Sequence, residues 1–99
     1  MVSRVKVFDK VLQQIREKIG QRLYVMTLHA EEEMDDDGLS ILDVEQGIFT
    51  GEILERQKDR NTGEFKYRIK GTTLEGDLVE VVVKLGLTGK VVIITVYLL

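Results

Sequence analysis

Cysteine is absent from this 99-residue chain, which excludes a disulfide framework, a thiolate zinc site and a cysteine nucleophile. Long apolar runs are missing as well: no stretch approaches the roughly 18 residues of a membrane span. The opening MVSRVKVFDKV lacks the uninterrupted apolar core of a signal peptide. A cytoplasmic protein with no membrane partner is the expectation. Phosphate-cradling loops are lacking too, because neither GTTLEG nor GLTG carries the Lys and Ser or Thr of a nucleotide-binding loop. Nucleotide hydrolysis therefore finds no support.

Apolar residues make up 43% and charged residues 31%, ordinary for a globular chain and too apolar for a disordered one. The length suits one core, so residues 1–99 are expected to form a single domain. A net charge of -3 argues against general affinity for nucleic-acid backbone, which needs several unopposed cations. The charge is polarised, however. Between Leu23 and Glu55 there is no Lys or Arg, while Glu31, Glu32, Glu33, Asp35, Asp36 and Asp37 stand almost in a row. From Arg56 onward the balance reverses, and such asymmetry can steer a charged partner to one side. Ordinary solvated faces of helices and strands are the alternative.

Ser3 can cap a helix whose apolar residues Val5, Phe8, Leu12, Ile15 and Ile19 recur at helical spacing until Gly20. This N-terminal helix is expected over residues 3–19. Arg22 to Leu28 reads as a short strand, and His29 to Asp37 as a short helix with Ala30 and Met34 on its inner stripe. Ser40 and Asp43 have capping-box spacing ahead of a second short helix carrying Ile41, Val44 and Ile48. After Gly51 the period changes to two. Phe65, Tyr67 and Ile69 alternate with Lys66, Arg68 and Lys70, with residues 52–57 as a hairpin partner; residues 78–85 and 91–98 supply two further strands. The expected fold is α+β, with N-terminal helices on one face of an antiparallel sheet of four to five strands.

Three places could carry chemistry. His29, the one histidine, sits at a strand–helix junction, where it can act as a general acid or base or can serve the helix start structurally. The run EEEMDDDG invites a calcium or magnesium reading, but in an EF-hand alignment the final Glu position is taken by Val44. No metal or cofactor is assigned; a solvated acidic face or a dock for a basic partner fits better. The row Lys66, Arg68 and Lys70, with Arg56 and Lys84 on neighbouring strands, could hold phosphates, with Thr95 and Tyr97 supplying hydroxyls. Plain alternation on an exposed sheet face explains the same row.

Taken together, LHAEEEMDDDGLSILDVEQGIFTGEILE, KYRIKG and VVIITVY resemble the family called domain of unknown function 4258, which looks related to BrnT and RelE-like bacterial toxins. The resemblance runs from about Met26 to Tyr97 and leaves the first helix outside. It implies a RelE-like, microbial-ribonuclease-like fold and a toxin of a type II toxin–antitoxin pair. It further implies an antitoxin partner with a YgiT-type zinc finger, and metal-independent RNA cleavage through attack by the ribose 2′-hydroxyl. His29 and Tyr97 match the family's catalytic candidates. Arg68 and Lys84 are phosphate-binding candidates from strand geometry alone. One departure stands out: the family often has arginines after the His-Ala pair where this chain has Glu33 and Asp37, and carboxylates repel a phosphodiester.

Three functional readings follow: a ribonuclease toxin; a catalytically inactive RelE-like binding or regulatory module whose acidic helix docks a basic partner; and a homodimer or larger oligomer built through the apolar last strands.

Overall fold

A computed structural model describes residues 7–99 of the chain. Helix α1 spans Asp9–Gly20 and buries Leu12, Ile15 and Ile19, the face its spacing requires. Ser3 and Val5, the expected cap and first apolar position, lie outside the described residues. Strand β1 is only Tyr24–Met26, shorter than the expected 22–28. Arg22 takes a left-handed backbone, φ 57°, which ends α1's turn late. At the other end Thr27 caps the next helix by accepting the Ala30 N–H.

Helices α2, Leu28–Asp36, and α3, Ile41–Thr50, follow in tandem. The Ser40–Asp43 capping box is formed in both directions. Strands β2 (Glu52–Lys58), β3 (Phe65–Thr72), β4 (Leu78–Leu85) and β5 (Val91–Leu98) form the expected meander. The sheet order is β1-β5-β4-β3-β2. All pairs are antiparallel except β1 with β5, which is parallel and covers only Val91, Val92 and Ile93.

The helices lie on one face. Ile15, Ile19, Ala30, Val44 and Ile48 meet Tyr67, Ile69, Val79, Val81, Val83, Val91, Ile93 and Val96 in a single core. Helix α3 reaches β3 through three glycines. A Cβ on Gly71 would overlap the Gly47 carbonyl, and one on Gly47 would lie 2.6 Å from Val79. One on Gly51 would lie 2.8 Å from Ile69. Backbone thus packs on backbone, and Thr50 fixes the seam by accepting the Thr72 N–H at 2.9 Å. Arg16 of α1 donates to the Ile48 and Gly51 carbonyls, placing a cation at the negative end of α3. Among the described residues no helix is long and apolar enough to cross a membrane.

Candidate functional site

Among the described residues no helix lies on the second sheet face. Strand register sets its residues in rows: Lys70, Glu80 and Tyr97; Arg68, Val82 and Thr95; Lys66, Lys84 and Val92. Arg68, Lys84, Thr95 and Tyr97 therefore share one face, as their alternation allowed. A bulge in the β4–β5 ladder, between Val82 and Val83, takes up the one extra residue on β5 that gives this phase. Arg56 does not join them. It pairs with Tyr67, and its guanidinium lies 4.3 Å from the Phe65 ring centre and 5.9 Å from that of Phe8. The β2 bulge between Ile53 and Glu55 shifts the phase and turns Arg56 to the helix-bearing side.

Arg68, Lys84 and Lys66 of the open face have carboxylate partners. Arg68 donates to Glu80 at 2.6 Å and to Glu55 at 3.1 Å, and Lys84 donates to Glu64 at 3.3 Å. Lys66 lies 3.8 Å from Asp59. Glu80 is 2% exposed, and Arg68 is its ion-pair partner. The hydrogen bond to Glu80, followed by that group's charge and the Glu55 contact, holds the Arg68 guanidinium above its usual range. Glu55 is held below the carboxylate range, first by the Gln57 amide and then by Arg68. A phosphate approaching Arg68 would compete with the half-exposed Glu55 rather than with buried Glu80.

His29 stands at the start of α2 with its side chain 68% exposed, Nε2 lying 3.2 Å from Glu33 Oε1. That same oxygen accepts the Val96 N–H at 3.2 Å, and Asp37 accepts the Leu98 N–H at 2.9 Å. Glu33 and Asp37 are thus bound to the edge of β5, on either side of Tyr97. Glu31, Glu32, Asp35 and Asp36 remain exposed on the outer side of α2. Among the described residues no three His, Asp or Glu side chains converge as a metal ion would require.

His29 stands on α2, which lies along β5, and Tyr97 on β5 itself, between the two residues whose N–H groups Glu33 and Asp37 accept. Arg68 and Lys84 lie across the open face on β3 and β4. A concavity of about 280 Å³ lies against Phe8, Leu12 and Ile53, and one of about 520 Å³ against Thr50, Lys70 and Leu78. The Glu80 partnership was missed in the sequence, although a lone carboxylate within LVEVVV marks a buried charge in need of a cation.

Residues 26–98 match the family model described as Domain of unknown function (DUF4258). No curated protein and no solved structure matches the chain.

Proposed function

The chain belongs to the family Domain of unknown function (DUF4258), and from that premise we propose that it is the toxin of a bacterial type II toxin–antitoxin pair, a RelE-like, metal-independent ribonuclease. The observation that supports this reading is the common sheet face of Arg68, Lys84, Thr95 and Tyr97, with His29 on α2, the helix held to β5 on either side of Tyr97. In this mechanism His29 takes the proton of a ribose 2′-hydroxyl. Its oxygen attacks the adjacent phosphorus, the bond to the 5′ oxygen breaks, and the Tyr97 hydroxyl protonates that leaving oxygen. Arg68, released from Glu55 while Glu80 stays bound, steadies the phosphate with Lys84.

A second reading draws on the carboxylate compensation of that same face and on the four outward carboxylates of α2. It is a catalytically silent module that docks a basic partner, such as a YgiT-type zinc-finger antitoxin, through the acidic helix. Induced expression in a bacterial host separates the two. Growth arrest with loss of total RNA, relieved by His29→Ala or Tyr97→Phe, is expected of the toxin. Normal growth with intact RNA would sink that reading. Capture of a basic partner that weakens when Glu32, Asp35 and Asp36 are reversed to Lys would then support the module.

A further inference from the structure

Strand β1 protects only the first part of β5. It pairs with Val91, Val92 and Ile93 and then gives way to the Thr27 cap, whose hydroxyl lies 3.2 Å from the Ile94 carbonyl. Beyond that point no strand among the described residues lies beside the edge of β5, and the outward N–H groups of Val96 and Leu98 are taken by Glu33 of α2 and Asp37 at its C-terminal end. The match is geometric. Outward donors on a strand recur every two residues, about 6.8 Å, while helical positions four apart rise about 6 Å. A helix with carboxylates at i and i+4 can therefore replace a missing strand.

The replacement is lightly anchored. Ala30 is the one fully buried residue of α2, and the helix carries six carboxylates over residues 31–37 with no cation in its last turn. What it covers is the reverse: VVIITVYLL, residues 91–99, has no charge and no glycine and is rich in β-branched residues, the signature of a strand that pairs readily.

We propose that α2 is a detachable guard over a strand-pairing surface on β5, and that the occupant of this surface, once α2 lifts, is the β5 strand of a second copy of the chain. An antiparallel pairing centred on Val96 sets Val96 against its own symmetry mate and Ile94 against Leu98. It satisfies with backbone carbonyls the two donors that Glu33 and Asp37 release. The uncharged sequence meets itself without burying an unpaired charge, which Glu52, Glu55, Arg56 and Lys58 of β2 at the opposite edge would not allow. This proposal goes beyond the reading above, and its test reads the state of assembly rather than RNA cleavage.

The test is a double variant, Glu33→Ala with Asp37→Ala, beside Glu32→Ala with Asp36→Ala. The second pair removes the same charge from the outer side of the same helix. Sedimentation is expected to show dimers for the first pair and monomers for the second and for wild type. The added substitution Leu98→Pro, which deletes a donor the second copy needs, is expected to return the first pair to monomer. A first pair that stays monomeric, or a dimer indifferent to Leu98→Pro, would overturn the proposal. Should that variant not fold, amide exchange of the wild type decides. Val96 and Leu98 are expected to exchange together with α2, about tenfold or more faster than Val81 and Val83; exchange in step with those core amides would overturn it equally.

Discussion

The two faces of this sheet are made of opposite materials from the same strands. On the covered face Ile69, Val79, Val81, Val83, Val91, Ile93 and Val96 are fully buried beneath three helices. On the open face Lys66, Arg68, Lys70, Glu80, Lys84, Thr95 and Tyr97 form a polar surface held by ion pairs. Burial stabilises one side, and charge pairing organises the other. Fold and chemistry can then be varied separately, since a period of two sends neighbouring residues to different tasks.

Substitutions can break that division, and the largest effect is expected at the seam behind the covered face. Gly71→Ala drives a methyl group into the Gly47 carbonyl, so urea unfolding should show a loss above the roughly 3 kcal/mol usual for overpacking. Next comes buried Glu80. Arg68→Met leaves Glu80 without its cation, and the thermal midpoint should fall further than for the double substitution Arg68→Met with Glu80→Leu, which removes both charges. A double variant as unstable as the single one would mean that Arg68 acts through packing alone.

The seam and the charge pair also show what could be read from the sequence. Alternation in residues 65–70 and the uncharged run of β5 identified the strands, and Ser40 with Asp43 identified the start of α3, because each signal is local. The parallel pairing of β1 with β5 joins residues 67 positions apart and leaves no local mark. Gly47 and Gly51, one helical turn apart, and Gly71 within a strand hinted at close approach, but their meeting depends on the fold. Of the candidate site, the common face of Lys66, Arg68 and Lys70 was legible from strand phase, whereas the placing of Lys84 and Tyr97 on it depends on strand register and on the β4–β5 bulge. Its carboxylate partners and the binding of Glu33 and Asp37 to β5 were not legible, because they join elements distant in sequence.

Smaller effects sharpen the comparison. Ile69→Val on the covered face should cost about 1 kcal/mol in denaturant unfolding, and Ser40→Ala about 1 kcal/mol through the lost cap. Asp43 is held below the usual carboxylate range, first by the Ser40 N–H and also by the Leu74 N–H. A carboxylate lowered on folding stabilises above its unfolded pKa, near about 4. That stability is lost as pH falls through the folded value. Wild type and Asp43→Asn should therefore differ most near neutral pH and converge in acid, as unfolding across a pH series would show. Smallest for stability are His29→Ala and Tyr97→Phe, each expected within about 0.5 kcal/mol.

That smallest pair carries the most direct test of the central claim, that the open face and its α2 corner perform RNA cleavage while the covered face only holds them in place. Purified wild type, His29→Ala, Tyr97→Phe and Ile69→Val would be incubated with messenger RNA, without added metal, and the product ends identified. Cleavage to 2′,3′-cyclic phosphate ends by wild type and Ile69→Val, lost in both site variants at unchanged stability, is the expected result. Intact RNA with wild type, or cleavage undiminished in His29→Ala and Tyr97→Phe, would contradict it.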